Sequence, residues 1–328
     1  MKKKYRCFAL FSGGLDSMLA VLHMNSLGYD VLPVFFQTPF FGPGNALKAA
    51  EHIGFNLLVI DITTEHIEML KNPRYGFGKN MNPCIDCHGL MLRKAGELMR
   101  AYNVDFIISG EVLGQRPMSQ RADALNAVGK LSRINDLLIR PLSQRLLSDT
   151  LPVREGWIKR EDMLDLHGRG RKAQMELAGR YGITFYHNPG GGCLLTDKAY
   201  SNRLRDLQEH DMLNEKQIRL LNIGRHFRIN ENIKIVVGKN SLDNERLNAF
   251  VEDQIVMQAE SVPGPLGIII SRKRLKPAEL ELVASLLLRY SNKAPDTDWI
   301  LYGEGFSLAH RIQVTKMRPE QVAEFLIQ

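Results

Sequence analysis

The chain has 328 residues, of which 44% are hydrophobic and 24% charged, and its formal net charge is +7 at pH 7. This length predicts about two domains, and this composition is ordinary for a soluble globular protein. No apolar run approaches the roughly 20 residues that span a bilayer, and the N-terminal apolar run is too short for a signal peptide. We therefore expect a cytoplasmic protein with no membrane partner, and the positive charge favours an anionic partner such as RNA.

Strands and helices alternate through the first half of the chain. This pattern predicts an α/β domain whose parallel sheet is covered by helices on both faces. The predicted strands are 7–11, 31–36, 56–60 and 105–109, and the predicted helices are 18–27, 45–53, 64–70 and 89–102. Because ligands of such sheets bind at the carboxyl ends of the strands, loops 12–17, 37–44 and 110–120 are expected to face one site.

A glycine turn, FSGGLDS, follows the first predicted strand. Gly13 and Gly14 allow a tight turn that aims several N–H groups at one anion, and the N-terminus of the following helix adds partial positive charge. Ser12 and Ser17 can donate hydroxyl hydrogen bonds, and Asp16 can cap the helix or help to hold Mg²⁺. The segment lacks the GK[ST] ending of a Walker A loop. It therefore predicts a phosphate-binding loop of another kind.

Four cysteines are too few for a secreted disulfide scaffold, so metal or redox chemistry is expected where they cluster. Cys7 lies in the first predicted strand and is assigned to the core. Cys84 and Cys87 form a CxxC motif before a predicted helix, and Cys193 follows three glycines in GGGC. The CxxC motif alone leaves structural zinc, a redox disulfide and an iron–sulfur cluster open.

The third cysteine narrows these alternatives. A structural zinc site needs four ligands, for which His88 or His187 could supply the last. Three thiolates on a four-iron cluster leave one iron open to an exogenous ligand, which suits catalysis. Asp86, between the cysteines, is interpreted as a helix cap or a general base.

The second half of the chain predicts a change of architecture. Residues 137–188, with helical stretches at 160–166 and 171–181 and a strand at 183–186, extend the first domain. A helix is predicted from 197 to about 223, then a hairpin in GRHFRINENIKIVVGKN, a strand at 266–271 and helices at 277–290 and 319–326. The predicted domains are therefore 1–210, with the catalytic site, and 211–328, a smaller α+β domain.

Three motifs carry a family resemblance over residues 5–197. SGGLDS resembles the pyrophosphate-binding loop of the PP-loop ATP pyrophosphatases, which cleave ATP to AMP and pyrophosphate while adenylating a substrate oxygen. NPCIDCH with the later GGGC is similar to the bacterial tRNA 2-thiouridylases, and GEVLGQ followed by Ser119 and Gln120 is similar to the tRNA 4-thiouridine synthetases. No counterpart of their ferredoxin-like, THUMP or rhodanese modules accompanies these motifs, so the sulfur carrier and the target nucleotide stay open.

The resemblance implies an ATP-dependent tRNA sulfurtransferase that makes thiouridine. It implies ATP, Mg²⁺ and a [4Fe-4S] cluster as cofactors, and tRNA and a sulfur donor (a cysteine desulfurase or free sulfide) as partners, with a homodimer left open. The implied catalytic residues are Cys84, Cys87, Cys193 and Asp16, with the three cysteines as cluster ligands. In a persulfide route, Cys193 would carry the sulfur and Cys87 would be its partner.

The nucleotide site is expected to include a larger set of residues, all in the strand-end loops. They are Ser12, Gly13, Gly14, Asp16, Ser17, Phe36, Gly110, Gly114, Gln115, Ser119 and Gln120, although Phe36 also fits a core position. Arg116, Arg121 and Arg140 are candidates for contacts with phosphates of ATP or RNA.

Basic residues are concentrated after residue 215, where a segment around GRHFRINENIKIVVGKNSLDNERL resembles the RNA-binding domain of fibronectin-binding-like ribosome-quality-control proteins. Arg225, Arg228 and Lys239 are the predicted RNA contacts, and a solvated basic face is the alternative. Two other functions stay open for the chain. One is a PP-loop ligase that forms amides or nitriles and holds structural zinc, and the other is a non-catalytic RNA-binding protein.

Overall fold

The computed structural model describes residues 3–116, 119–186, 193–252 and 254–328. The chain divides into two compact units, 1–196 and 197–328. No helix in the described ranges is long and apolar enough to cross a membrane.

The first unit is built on a five-stranded parallel sheet in the order β3-β2-β1-β4-β5. Its strands are β1 (Arg6–Leu10), β2 (Asp30–Gln37), β3 (Leu58–Asp61), β4 (Phe106–Ser109) and β5 (Leu138–Ile139). The first four confirm the predicted strands. The two residues of β5 are too few to show a periodic pattern. The central position of β1 places the glycine loop that follows it in the middle of the carboxyl edge.

Helices cover both faces of this sheet, as predicted. They are α1 (Leu15–Ser26), α2 (Gly44–His52), α3 (Thr63–Lys71), α4 (Cys84–Leu98), α5 (Ala122–Ser132), α6 (Leu151–Arg154) and α7 (Lys172–Arg180). Alternate residues of β1 enter different hydrophobic clusters: Cys7 and Ala9 pack with α1 and α2, and Phe8 packs with α4. Cys7 is 0% exposed, as expected of a core residue.

Three local predictions for the first unit are wrong. Helix α4 begins at Cys84 rather than at residue 89, since Pro83 stands at its N-cap and proline is tolerated where no backbone donor is needed. The stretch at 160–166 contains only a 3₁₀ turn, Arg160–Asp162. Residues 183–186 form no strand, although Ile183 is buried against α1 in the core.

The second unit contains a six-stranded sheet in the order β11-β10-β8-β9-β7-β6, antiparallel at every pairing. Its strands are β6 (Arg225–Asn230), β7 (Ile233–Val237), β8 (Ile255–Ala259), β9 (Gly267–Ser271), β10 (Thr297–Glu304) and β11 (His310–Thr315). Its helices are α8 (Lys198–Glu209), α9 (Glu215–Leu220), α10 (Ser241–Leu247), α11 (Pro277–Tyr290) and α12 (Pro319–Phe325). The predicted hairpin is β6–β7, and α11 has the predicted bounds.

The predicted helix at 197–223 is two helices, because the chain turns at Asp211, whose φ is +51°. The division between the units also lies after Thr196 rather than at residue 210. Helix α8 belongs to the second sheet because Asp206 accepts hydrogen bonds from Arg228 on β6 at 2.8 Å and from Lys234 on β7 at 2.9 Å.

Candidate nucleotide and thiol site

The glycine turn between β1 and α1 has the geometry of an anion-binding loop. Gly13 adopts φ +75°, and a Cβ atom there would lie 2.8 Å from the Cα of Ala46 at the start of α2. Only glycine satisfies both constraints. Gly14 caps α1 with extended backbone, and its carbonyl accepts from the N–H groups of Ser17 and Met18.

Two serine hydroxyls line the same turn. Ser12 is exposed, and its Oγ accepts from the N–H of Gly14 at 3.3 Å. Ser17 is 6% exposed and donates to the Gly14 carbonyl at 2.8 Å. The two hydroxyl oxygens lie 3.4 Å apart. Ser12 therefore remains the more accessible donor for a phosphate oxygen.

Asp16 is held at the first turn of α1 and makes no cap hydrogen bond there. Its Oδ2 accepts from Nε2 of Gln115 at 2.8 Å, and its Oδ1 is buried with no partner among the described residues. Burial raises the pKa of Asp16, while Gln115, Arg171 and Arg116 act to lower it. The helix-cap interpretation is therefore wrong. The unpaired carboxylate oxygen is a suitable ligand for a cation such as Mg²⁺.

Helix α7 orients this carboxylate through Gln115, and no pattern in the sequence indicated this contact. Gln174 is 2% exposed, and its Nε2 donates to Oε1 of Gln115 at 3.2 Å. An ionised carboxylate only accepts, so Gln115 must present its NH₂ group to Asp16 and its oxygen to Gln174. The three side chains thus form one chain of hydrogen bonds.

The loop after β4 closes against the glycine turn. A Cβ atom at Gly110 would lie 2.6 Å from the backbone carbonyl of Asp16, so glycine allows the two loops to touch. Gly114 adopts φ +76°, and its N–H donates to the carbonyl of Gln120 at 2.6 Å. Ser119 is 3% exposed and Gln120 is 6% exposed, so both lie inside this loop.

Phe36 does not line the site. It is 3% exposed and belongs to the hydrophobic cluster that contains Phe8 and Leu90. The structure therefore assigns it to the core. Gln37, the next residue, is tied to Asp61 through a 2.7 Å hydrogen bond from its Nε2.

The three clustered thiols influence one another. Burial raises the pKa of Cys87 far above its usual range, and the charges of Cys193 and Cys84 raise it further. Burial also raises the pKa of Cys193 to about 11, with a further contribution from Cys84. Burial likewise raises the pKa of Cys7, but Asp30 and Asp105 are its electrostatic neighbours, which separates it from the cluster.

Two hydrogen bonds hold the segment that carries Cys193 against the first unit. The N–H of Leu194 donates to the carbonyl of Phe40 at 3.2 Å, and Nδ2 of Asn80 donates to the carbonyl of Thr196 at 2.7 Å. The preceding NPGGG segment and His187 lie outside the described residues.

His66 on α3 is a further neighbour of the thiols that the sequence did not reveal. It is 0% exposed, its Nε2 lies 3.3 Å from Sγ of Cys87, and its ring packs on Phe40. Burial lowers the pKa of His66 to about 4, so the imidazole is neutral near pH 7. A histidine in an amphipathic helix gives no sequence signal for such a contact.

The described residues include no group of three or more His, Cys, Asp or Glu side chains placed to hold a metal ion. Three thiols are suitable donors for an iron–sulfur cluster, but their arrangement gives the cluster no geometric support. For the zinc interpretation, Nδ1 of His88 lies 3.0 Å from Oε1 of Glu111, so only Nε2 of this histidine could bind the metal. Asp86 accepts from the N–H groups of Arg74 and Tyr75, so it is neither a helix cap nor a free base.

One of the three arginine candidates, Arg140, has another role, whereas Arg121 stays a candidate. Nε of Arg140 donates to Oε2 of Glu111 at 2.8 Å in a buried pair, so Arg140 is structural. Burial would raise the pKa of Glu111, but Arg140 and His88 together lower it to about 2. Arg121 is exposed and lies 3.5 Å from Asp123.

Arg116 connects the two halves of the site. Burial raises the pKa of both Asp16 and Cys84, and the positive charge of Arg116 opposes the rise in each. The charge of one guanidinium therefore acts on both the phosphate loop and the CxxC motif.

In the second unit, the predicted RNA contacts separate into two kinds. Arg228 is bound by two hydrogen bonds to Asp206 and is 13% exposed, so its prediction as an RNA contact is corrected to a structural role. The guanidinium of Arg225 lies 4.8 Å from the ring centroid of Tyr290, and Lys239 is exposed. Lys234, in the same basic segment, is 1% exposed.

Two family models match the chain in separate segments. Residues 3–145 match the family described as thiamine biosynthesis protein (ThiI), and residues 224–326 match the NFACT protein RNA-binding domain. The first match contains the glycine turn and the CxxC motif, and the second begins just before β6.

Two curated relatives are similar to the first unit. A probable tRNA sulfurtransferase of Thermococcus kodakarensis is 31% identical over 144 residues, which are 41% of this chain and 36% of that protein. The tRNA-specific 2-thiouridylase MnmA of Cytophaga hutchinsonii is 26% identical over 145 residues, which are 37% of this chain and 38% of that protein. The matched region is little more than a third of the length of these relatives.

Two solved structures resemble the chain more distantly. A 4-thiouridine synthetase in complex with RNA and ATP is 20% identical with a TM-score of 0.37, covering 63% of this chain and 53% of that chain. The C-terminal part of the fibronectin/fibrinogen-binding protein of Streptococcus suis is 15% identical with a TM-score of 0.28, covering 74% of this chain and 100% of that chain.

Proposed function

We propose that this chain, which joins a ThiI-family PP-loop domain to an NFACT RNA-binding domain, is an ATP-dependent tRNA sulfurtransferase. It would adenylate a uridine carbonyl oxygen and replace that oxygen with sulfur, releasing AMP and pyrophosphate in the cytoplasm. The observation that carries the proposal is the ThiI-family match over residues 3–145, which contains both the glycine turn with Asp16 and the CxxC motif with Cys84 and Cys87. Activation and sulfur delivery would thus share one site.

The phosphate loop suits the activation step. A uracil carbonyl oxygen is a very poor leaving group, but attack of that oxygen on the α-phosphate of ATP gives an adenylate that later departs as AMP. The N–H groups around Gly13 and Gly14 and the N-terminus of α1 can stabilise the departing pyrophosphate. The unpaired Oδ1 of Asp16 is the proposed ligand for Mg²⁺ bound to these phosphates.

The thiol cluster suits the sulfur step. A sulfur nucleophile must attack the activated ring carbon, and a protonated thiol is a poor nucleophile. Because burial raises the pKa of Cys84, Cys87 and Cys193, each must lose its proton before it can carry sulfur or bind metal. In the tautomer that leaves Nε2 unprotonated, the imidazole of His66, 3.3 Å from Sγ of Cys87, can accept a hydrogen bond from that thiol, but its low pKa makes it too weak a base to remove the proton.

We propose that these thiols bind a [4Fe-4S] cluster. The only support for this proposal is that thiolates are the usual ligands of such clusters. Cys84, Cys87 and Cys193 would hold the cluster, and its fourth iron would supply an open coordination position for the incoming sulfur. Iron and acid-labile sulfide in anaerobically purified protein test this assignment. A protein that thiolates tRNA without iron would require the persulfide route.

The tRNA substrate is proposed from both family matches. The NFACT RNA-binding domain would capture the tRNA body, and the first unit would act on the uridine. In this division, the first unit would select the uridine through contacts with the base. Cations of both units would bind phosphates of the tRNA.

The decisive experiment uses the full chain with ATP, Mg²⁺, tRNA and sulfide under anaerobic conditions. The expected result is tRNA-dependent release of AMP and pyrophosphate, with thiouridine detected by mass spectrometry of tRNA nucleosides. Asp16→Asn should lose AMP release while remaining folded. AMP release that requires ammonia instead of sulfide would overturn the proposal in favour of an amide-forming ligase.

A further inference from the structure

We propose that strands β8, β10 and β11 present a platform on which an unpaired RNA base stacks, formed by Trp299 and Arg311. The proposal deepens the RNA-binding part of the proposed function and is independent of sulfur transfer. It also differs from the predicted contacts Arg225, Arg228 and Lys239, which lie in the β6–β7 part of the unit.

The strand register places the platform residues on one face of the sheet. Trp299 on β10 is paired with Gln313 on β11, and Leu301 is paired with Arg311 on β11 and with Gln258 on β8. Residues directly opposite each other on neighbouring strands share a face, as do alternate residues of one strand. These five side chains therefore project from the same side.

The other side of the same three strands is the core. Ile300, Met257 and Val314 are 0–4% exposed and pack in the hydrophobic cluster that contains Val283 and Leu287 of α11. By contrast, Trp299, Leu301 and Gln258 are half-buried, and Arg311 and Gln313 are exposed. The indole of Trp299 is thus not part of that core.

Arg311 lies over the ring of Trp299, so a base can stack on the outer face of the guanidinium or displace it from the indole. The guanidinium carbon of Arg311 lies 4.6 Å from the ring centroid of Trp299, within the range of a cation–π contact. The Arg311 side chain is 59% exposed and is 3.7 Å from Glu260, an exposed ion pair that holds it only weakly. Single-stranded RNA bases stack on aromatic rings and on guanidinium planes of this kind.

The neighbouring groups suit a nucleotide. Gln258 and Gln313 flank the pair on the same face, and their amides offer donors and acceptors to a base edge. Arg311 can also neutralise the phosphate of the stacked nucleotide. A duplex keeps its bases stacked inside, so the chemistry favours a single strand or a loop.

The two tryptophans of the chain, Trp157 and Trp299, allow a direct test. In the full-length Trp157→Phe variant, all tryptophan fluorescence comes from Trp299. Titration with a short oligouridine should quench this fluorescence, whereas an RNA duplex of the same length should quench it much less. Trp299→Ala, titrated against dye-labelled oligouridine by fluorescence anisotropy because it removes the reporting indole, should bind roughly 5- to 150-fold more weakly, the range expected for one lost stacking contact. Trp299→Phe should recover most of the affinity.

Phe306 provides the matched control. It is 76% exposed in the turn between β10 and β11, so Phe306→Ala removes an exposed aromatic ring from the same hairpin outside the platform. Unchanged oligouridine affinity in folded Trp299→Ala would overturn the proposal, as would equal quenching by the duplex. A change of Trp299 fluorescence with protein concentration, and none with oligouridine, would also overturn the proposal, because it would identify the surface as a contact between two copies of the chain. No ATP or sulfur donor is present, so failure here leaves the sulfurtransferase proposal standing, and absent thiolation activity leaves the platform standing.

Discussion

The side-chain amide of Gln115 donates a 2.8 Å hydrogen bond to Oδ2 of Asp16. Gln174 donates in turn to the amide oxygen of Gln115, and this second bond fixes which end of the Gln115 amide faces the carboxylate. Asp16 is therefore oriented by a helix, α7, that follows it by more than 150 residues in the chain. Its second oxygen is left for a ligand.

Gln174→Glu should invert this orientation. The introduced carboxylate can only accept, so the Gln115 amide would rotate and present its oxygen to Asp16. Two acceptors would then face each other, and we expect a rise in the Mg²⁺ concentration needed for ATP binding together with a lower kcat. Gln174→Met, which removes the bond without reversing it, should have a smaller effect.

Calorimetric titration of ATP at several Mg²⁺ concentrations measures this difference. Glu176→Gln, an exposed change on the same helix, is the control. Equal Mg²⁺ dependence of Gln174→Glu and Gln174→Met would show that Gln174 only fills space.

Gly110→Ala should disrupt the contact between the two nucleotide loops. Its Cβ would lie 2.6 Å from backbone atoms of Asp16, which cannot move without shifting the start of α1. We expect a loss of stability of about 1–3 kcal/mol and weaker ATP binding. Gly44→Ala, at a position with open space, should leave both unchanged. Denaturant unfolding and ATP titration measure the two effects, and a neutral Gly110→Ala would mean that the loops separate freely.

Serine at Cys84, Cys87 or Cys193 should abolish thiouridine formation while tRNA-dependent AMP release continues, because adenylation needs none of the three thiols. If the cluster is present, each variant should also lose bound iron. Cys7→Ala should retain both activities, since Cys7 is buried in the core beside α1. Nucleoside mass spectrometry and iron analysis provide the readouts. Full thiolation by Cys84→Ser would instead favour a persulfide passed between Cys193 and Cys87.

Glu111→Gln should change the acid stability of the protein. The folded-state pKa of Glu111, about 2, lies below its ordinary value of 4.5, so its ionised form stabilises the fold above pH 4.5. This contribution is lost as the pH falls from 4.5 toward 2. The variant should be less stable at pH 7, by about 3–5 kcal/mol, because Arg140 loses its buried partner. Its stability should then fall less steeply in acid than that of the native chain.

Denaturant midpoints measured from pH 7 to pH 2 give this comparison. Glu97→Gln, an exposed change on α4, is the control and should follow the native curve. Parallel curves for Glu111→Gln and the native chain would show that Glu111 has a similar pKa in the folded and unfolded states.

The sequence was sufficient to predict features that depend on residues adjacent in the chain. The apolar run of β1, the glycine turn and the hairpin β6–β7 are local patterns, and each was found where predicted. Contacts between distant segments were not predictable. His66 approaches Cys87 across a separation of 21 residues, and Arg228 meets Asp206 on a helix assigned to the other domain. A basic residue that binds RNA and one that neutralises a buried carboxylate look the same in sequence.

Lys239 and Arg228 should therefore respond differently to alanine substitution. Arg228 and Lys234 share the buried carboxylate of Asp206, and burial raises the pKa of Asp206 less than these two cations lower it. Asp206→Asn should destabilise the second unit by about 3–5 kcal/mol, because it leaves two cations without their partner, and Arg228→Ala should destabilise it less, because Lys234 still neutralises Asp206. Lys239 is exposed, so Lys239→Ala should leave stability unchanged.

Binding to tRNA separates the two roles. Lys239→Ala should reduce the slope of log affinity against log salt by roughly one unit, the change expected for one lost phosphate contact. Arg228→Ala, measured well below its unfolding transition, should retain the native salt slope because its guanidinium is committed to Asp206. Filter binding over a range of salt concentrations, beside denaturant unfolding of each variant, provides both quantities. A reduced slope in folded Arg228→Ala would return this arginine to the RNA-binding surface, and an unchanged slope in Lys239→Ala would remove Lys239 from it.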